Sequence, residues 1–285
     1  MRRCAGSVVG SVPPSCDAPL RRVAAKRCAG SVVALVILGA AVALAGSTPA
    51  PQSRPGFDHT RFAQILRKNV KGGKVDYRGL KTRQADLLDR YVKSLAAADP
   101  RRFAGKDDEL AFWISAYNAF VIAGVLERYP GIESVMDVPD FFKAKRWKAA
   151  GQLHSLDEIE NEIIRARFKD PRVHFVLVRA AQSCPPLLPR ALTAGTVQAE
   201  LDGAARTVVN SPRYVSVEVA AKRLRLTRIM SWYQQHFVEK YGSLEAFLLR
   251  YLREPKRARV AAGGYRIEFT DYDWALNDSR RSAAR

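Results

Sequence analysis

The spacing of apolar residues along this chain predicts a helix-rich protein with a few short strands. The strongest helical pattern covers 107–130, with acidic residues in its first turn and Arg128 in its last turn. Pro130 then stops the helix. Because this segment is apolar on nearly every face, we expect it to lie at the centre of the domain.

Two polar residues interrupt that central helix, Ser115 and Asn118, which are three residues apart and share a face. A buried amide must find hydrogen-bond partners. Asn118 therefore either holds neighbouring backbone in place by hydrogen bonds or is part of a functional site.

A second helix is predicted at 155–168, where Ser155 and Glu158 form a capping box. Glu160 falls on the apolar stripe of this helix. A carboxylate on a stripe that faces the core is unfavourable unless it is paired. We therefore expect a buried partner for Glu160, either an arginine such as Arg172 or a histidine.

The segment "RVHFVLV" at 172–178 predicts a covered central strand, because both of its faces are apolar. His174 then lies in the core, and Cys184 lies on the following loop before two prolines. The remaining pattern predicts a helix at 196–209, a hairpin at 213–218 and 222–227, helices at 229–237 and 243–252, and a strand with an aromatic turn at 264–277. The predicted fold is α+β, a single helix-rich globular domain around a small central β-sheet.

The first 45 residues are typical of a signal peptide, with a basic segment at 21–27 and an apolar run that ends in an Ala-x-Ala pattern. Residues 46–56 read as a linker, 57–277 as the folded domain and 278–285 as a disordered basic tail. We therefore expect an exported, periplasmic protein. The alternative is an uncleaved leader that anchors the chain in the inner membrane.

The number of cysteines and the net charge limit the disulfides and the partners that this chain is expected to have. Cys184 is the one cysteine beyond the predicted leader, so the mature chain cannot form an internal disulfide. The chain carries a formal charge of +19; its first 45 residues hold six basic residues and one acidic residue, so the remainder carries +14. Export argues against nucleic acid as a partner, and an anionic surface is the better candidate. Most of the basic residues are scattered and indicate solvated faces.

Six ordered blocks of this sequence resemble the DUF547 family. They are "GGKVDY", "AFWISAYNAFVIAGVLERYP", "SLDEIENEII", "DPRVHFVLV" with "SCPPL", "MSWYQQHF" and "YDWALN", and they run from about Phe57 to Asn277. The resemblance implies an exported bacterial domain whose biochemical role is unsettled. Two positions depart from the family pattern. Arg179 stands where members often carry a second cysteine, and Asn161 stands where they often carry a histidine.

One functional hypothesis is a thiol-dependent hydrolase or acyltransferase of the cell envelope that acts on a small-molecule or peptide substrate. Cys184 would be the nucleophile, His174 the base, and Glu160 or Asn118 the group that orients the imidazole. Arg172 or Arg179 would bind an acidic group of the substrate. A metal held by His174, Cys184 and Glu160 is the weaker alternative, and no cofactor is expected.

The other hypothesis is a non-catalytic periplasmic module that binds a polyanion, a peptide or a membrane surface. Trp232 and Tyr233 would line its groove together with Trp113, Trp147 and Trp274. The arginine at position 179 and the lack of a sharp catalytic motif are expected under this hypothesis.

Overall fold

The computed structural model describes residues 56–280. The predicted leader, nearly all of the linker and the last five residues of the predicted tail lie outside this range. The fold is helix-rich (53% helical) with small sheets, as an α+β fold requires. The α-helices are α1 Thr60–Asn69, α2 Tyr77–Arg83, α3 Ala85–Ala96, α4 Lys106–Arg128, α5 Leu156–Glu158, α6 Ala166–Phe168, α7 Val197–Asn210, α8 Arg228–Trp232, α9 Gln234–Tyr241, α10 Leu244–Tyr251 and α11 Lys256–Ala261.

Short 3₁₀ turns at Pro100–Arg102 and Val135–Asp137 connect elements, and a π-helical segment, Ile159–Arg165, joins α5 to α6. The strands are β1 Val70–Lys71, β2 Lys74–Val75, β3 Trp147–Ala149, β4 Gln152–His154, β5 Val215–Glu218, β6 Arg223–Leu226 and β7 Arg266–Phe269. They form the antiparallel pairs β1–β2 and β3–β4, and a three-stranded sheet in which β6 pairs antiparallel with β5 and parallel with β7.

Helix α4 occupies the centre of the domain, as its pattern predicts. Nearly all of its residues from Leu110 to Leu126 are buried. Its N-terminal Asp108 is buried too, and its two carboxylate oxygens accept hydrogen bonds from the backbone N–H groups of Phe57 (3.0 Å) and Ala104 (2.9 Å). Among the described residues, α4 is the one helix with the length and hydropathy of a membrane span, and 89% of its most apolar window is buried inside the protein. It therefore packs here as a core helix.

The predicted central strand at 172–178 is wrong, and with it the small central sheet. Pro171–Phe175 forms a 3₁₀ helix, which begins where the Asp170 carboxylate accepts a hydrogen bond from the Arg172 N–H (3.0 Å). The residues that follow bond to the side chain of Asn118 instead of a neighbouring strand. Residues 173–178 are buried, as expected, but none of the described strands includes them.

The loop after this segment is held by the C-terminal segment of the domain. The N–H of Asn277 donates to the Ala180 carbonyl oxygen (2.9 Å), and the N–H of Gln182 donates to the Ala275 carbonyl oxygen (2.8 Å). Ala180 has a φ of 54°, in the left-handed region that non-glycine residues seldom adopt. This pairing brings Cys184 beside the aromatic turn at 271–274. The ordered chain also continues past 277, because Asp278 is buried and accepts a hydrogen bond from the Tyr129 hydroxyl (2.8 Å).

Candidate functional site

A buried ion pair between Glu160 and Arg179 forms the charged centre of the candidate site. The Glu160 side chain is 7% exposed and the Arg179 side chain 5% exposed. Glu160 lies in the π-helical segment, whose irregular geometry recurs at functional sites. It also accepts a hydrogen bond from the Tyr117 hydroxyl (3.2 Å), and Arg179 donates to the Tyr233 hydroxyl (2.7 Å). The buried partner predicted for Glu160 is therefore Arg179.

Burial and neighbouring charges shift the pKa of Arg179 and of the two tyrosines at this centre. Desolvation opposes the charge on Arg179, but Glu160 and the nearby tyrosines outweigh it and raise the pKa of Arg179 well above its usual value. Burial raises the pKa of Tyr233, so its hydroxyl stays protonated. Burial likewise raises the pKa of Tyr117. Buried charges are unfavourable unless paired, so this cluster is a candidate site on physical grounds.

His174 is fully buried beside the ion pair and stacks on the Tyr233 ring, with centroids 3.7 Å apart. Its Nε2 lies 3.0 Å from Nδ1 of His236, while its Nδ1 lies 3.7 Å from a Glu160 oxygen, too far for a hydrogen bond. Desolvation, the other imidazole and Arg179 all lower the pKa of His174. Burial likewise lowers the pKa of His236, to about 4. Both rings are therefore neutral at pH 7.

Cys184 has partners of its own on the other side of Arg179. Its Sγ accepts a hydrogen bond from the backbone N–H of Arg179 (3.1 Å) and lies 3.1 Å from the Tyr272 hydroxyl oxygen. Burial raises the pKa of Tyr272 well above its usual value, so this hydroxyl stays protonated and can either donate to the thiol or accept from it. The backbone carbonyl of Cys184 accepts a hydrogen bond from the Tyr214 hydroxyl (2.9 Å). The thiol is thus held between one backbone N–H and one tyrosine hydroxyl, and Cys184 is 5% exposed.

Three partly exposed rings lie above the thiol, and we call them the aromatic face: Trp232, Tyr272 and Trp274. Their centroids are 4.8 Å apart for Trp232 and Tyr272, 4.6 Å for Tyr272 and Trp274, and 5.7 Å for the two tryptophans. The other two tryptophans expected in a groove, Trp113 and Trp147, are buried elsewhere in the core.

The structure brings together only part of the predicted catalytic set. Within residues 56–280, no hydrogen bond joins Cys184 to His174, so the nucleophile and its predicted base are not a pair. Asn118 brackets backbone, since its Nδ2 donates to the Val176 carbonyl (2.9 Å) and its Oδ1 accepts from the Val178 N–H (2.9 Å). Glu160 contacts Arg179 first and His174 only at longer range.

The four predicted substrate-binding residues also lie in different parts of the structure and do not form one site. Arg172 is engaged by Asp170 and Asp202 at 2.5 and 2.8 Å, so it fastens the 3₁₀ helix to α7. Arg179 and Tyr233 belong to the buried charged centre, and Trp232 reaches the surface on the aromatic face. Within the described part of the chain, no group of three His, Cys, Asp or Glu side chains is placed to hold a metal ion.

Sequence reasoning missed three members of the cluster: Tyr117, His236 and Tyr272. Each lies in a block that carries the family resemblance, "AFWISAYNAF", "MSWYQQHF" and "YDWALN" respectively. Tyr272 lies 88 residues from Cys184, its partner, so no local pattern links them.

Comparison with known proteins finds one match, to a family model that covers part of the site. Residues 100–209 match the sequence model of DUF547, described as a protein of unknown function. No curated protein and no solved structure matches the chain. The matched range contains Asn118, Glu160, His174 and Cys184, but the aromatic face lies beyond it. Residues 100–209 are thus similar to the DUF547 model, and its description assigns no activity.

Proposed function

We propose that this chain is an exported protein of the cell envelope that binds an extended peptide on its aromatic face. The observation that carries the proposal is the cluster of Trp232, Tyr272 and Trp274, whose rings pack against the core and stay partly exposed. Clustered aromatic rings at a surface are a common means of holding extended peptides, because they give large contact area with little loss of side-chain entropy.

The base of the aromatic face is rigid, which favours binding. The Ser183 hydroxyl accepts a hydrogen bond from the Asp273 N–H (2.9 Å), and the Ser183 N–H donates one to the Asp273 carbonyl oxygen (3.1 Å). The Tyr272 hydroxyl is fixed on Cys184. A surface that is ordered before the ligand arrives loses less entropy on binding.

Charges beside the face favour a peptide over an anionic polymer. Asp271 and Asp273 flank Tyr272, and both are exposed. Asp271 forms an ion pair with Arg228 at 3.4 Å, and exposed pairs of this kind contribute little. Two carboxylates repel a polyanion at this face although the whole chain is basic. The aromatic rings suit apolar or proline side chains of a peptide, and the two carboxylates suit one basic residue in it.

The test is fluorescence anisotropy with a labelled eight-residue peptide of proline and leucine ending in arginine, against a peptide with serine at every proline and leucine. We expect binding of the first peptide only. Trp232→Ala should weaken it at least tenfold, as for an aromatic anchor of an interface. Leu153→Ala removes an exposed apolar side chain elsewhere (57% exposed) and should change nothing. Equal binding of both peptides, or unchanged binding by Trp232→Ala, would reject the peptide proposal.

A thiol-dependent hydrolase or acyltransferase is the second candidate, favoured by the two donors on Cys184. Hydrogen bonds from the Arg179 N–H and the Tyr272 hydroxyl stabilise a thiolate. In the acyl transfer, an Sγ–C bond forms and the C–N or C–O bond of the substrate breaks. The thiol proton leaves with the departing amine or alcohol, and water or an acceptor then releases the acyl group.

This second candidate is tested by the alkylation rate of the thiol with iodoacetamide at pH 7. We expect Tyr272→Phe to slow the reaction at least threefold, because it removes a donor to the thiolate. His174→Gln should leave the rate unchanged, because no hydrogen bond joins His174 to the thiol in the described part of the chain. A reaction no faster than that of free cysteine in the wild type, or an unchanged Tyr272→Phe, would show that Cys184 is a packing residue.

A further inference from the structure

A basic cleft at the C-terminal end of α7 shares no residue with the aromatic face. Its volume is about 470 Å³, within the range of small-ligand sites. The lining residues are Gly203, Arg206, Thr207, Asn210, Ser211 and Arg253. None of them is a carboxylate. The sequence shows only the cluster "REPKRAR" at 253–259, and the fold adds Arg206 and Ser211 from α7 and its end.

Asn210 fixes the shape of the cleft. Its Nδ2 donates to the carbonyl oxygens of Arg206 (2.8 Å) and Tyr251 (2.9 Å), and its Oδ1 accepts the N–H of Arg253 (2.8 Å). Lys256 donates to the Asn210 carbonyl oxygen (3.2 Å). This ammonium offsets the partial negative charge at the helix C-terminus, which would otherwise oppose an anion.

The two arginines of the cleft are exposed, and Arg206 makes only contacts of the weak, exposed kind there, an ion pair with Asp202 and a cation–π contact with the Tyr251 ring (5.7 Å to its centroid). Arg206 lies 3.4 Å from Asp202, but that carboxylate is already bound by Arg172 (2.8 Å) and by the Tyr251 hydroxyl (2.8 Å). For residues 56–280, neither an ion pair of Arg253 nor a partner of the Ser211 hydroxyl is found. Two exposed guanidinium groups and a hydroxyl therefore line one open volume.

We propose that this cleft binds a phosphate group, with Arg206 and Arg253 as its charged ligands and the Ser211 hydroxyl as a third donor. The planar guanidinium forks match two phosphate oxygens each, and charge-assisted bonds of this kind are stronger than neutral ones. The chemistry fits a soluble phosphate ester and the headgroup of an anionic phospholipid equally, and both are present in a cell envelope.

The experiment measures binding of glycerol phosphate by calorimetry and binding to phosphatidylglycerol vesicles by sedimentation, with phosphatidylcholine vesicles as the blank. The double variant Arg206→Gln/Arg253→Gln should weaken binding at least tenfold. The matched control is Arg61→Gln/Arg67→Gln, which removes two exposed charges of α1 and the same net charge. We expect the control to change binding less than twofold.

The outcomes separate the two sources of phosphate from a general charge effect. If the double variant loses binding to both glycerol phosphate and the vesicles, the cleft takes the phosphate group from either source. If it loses binding to one of them, that one is the source. Equal weakening in the double variant and the control would mean that net charge alone binds the anion, which overturns the proposal. No binding by the wild type, or no loss in the double variant, overturns it as well.

Discussion

Removing one partner of the Glu160–Arg179 pair should destabilise the fold far more than removing both. Arg179→Met leaves the Glu160 carboxylate buried with Tyr117 as its remaining hydrogen-bond donor. Both side chains are at most 7% exposed, so solvent screens the lone charge poorly. An uncompensated buried charge of this kind destabilises a protein by about 3–5 kcal/mol.

The double variant Glu160→Leu/Arg179→Met replaces both charges by apolar groups of similar size. A buried ion pair replaced in this way is often nearly neutral for stability, so we expect a loss of no more than about 1 kcal/mol. A double-mutant cycle compares the wild type, Glu160→Leu, Arg179→Met and the double variant. Its coupling free energy should therefore be several kcal/mol. Each 1 kcal/mol corresponds to about 2–4 °C in Tm for a chain of this size.

Urea unfolding followed by circular dichroism measures all four free energies. The control is Lys93→Met in the exposed pair Lys93–Asp89, whose side chains are 75% and 58% exposed. Exposed pairs contribute about 0–1 kcal/mol. If Arg179→Met loses no more than this control, the charge of Glu160 is not buried as the structure has it. A coupling near zero would refute the reasoning in the same way.

Three further predictions concern residues around this centre. Asn118→Ala should lower the free energy of unfolding in urea by about 2–5 kcal/mol, because two buried backbone groups lose their partner. Asn161 is half-buried, and Asn161→Ala should change this free energy by no more than about 1 kcal/mol. Similar losses in the two variants would disprove the role of the Asn118 hydrogen bonds. Stability should fall as the pH drops from 6.5 to 4, because burial lowers the pKa of His59 and of His236 to about 4 and the unfolded chain takes up protons first. The loss is roughly 3 kcal/mol for each histidine, and a His236→Gln variant with an equally steep pH profile would contradict it. Arg172→Met should lose about 2–3 kcal/mol, and an unchanged unfolding midpoint would show that its two carboxylate contacts carry no stability.

Local pattern was enough to find the central helix α4, several other helices and the hairpin. The predicted helix at 196–209 is α7, Val197–Asn210, and the predicted hairpin is β5 with β6. The capping box of Ser155 and Glu158 is present, with the Glu158 N–H donating to the Ser155 hydroxyl (3.1 Å). Caps and amphipathic spacing act over three or four residues, so the sequence carries them directly.

The segment at 172–178 shows where local pattern fails. An apolar run predicts burial but does not distinguish a strand from another buried conformation. Its conformation is decided by Asn118, 58 residues away from Val176, which supplies the hydrogen bonds that a neighbouring strand would supply. Tertiary contacts therefore override the strand propensity of valine-rich sequence.

The sequence by itself determined that Glu160 is buried and needs a partner, that α4 is central and that Cys184 lies on a loop. Only the tertiary structure decided which groups meet. Arg179 pairs with Glu160, whereas Arg172 pairs with Asp170 and Asp202. Tyr272 reaches Cys184 because the C-terminal segment pairs with the loop at 180–183. Such contacts join residues far apart in the chain, and their choice depends on how the whole core packs, which no local spacing encodes.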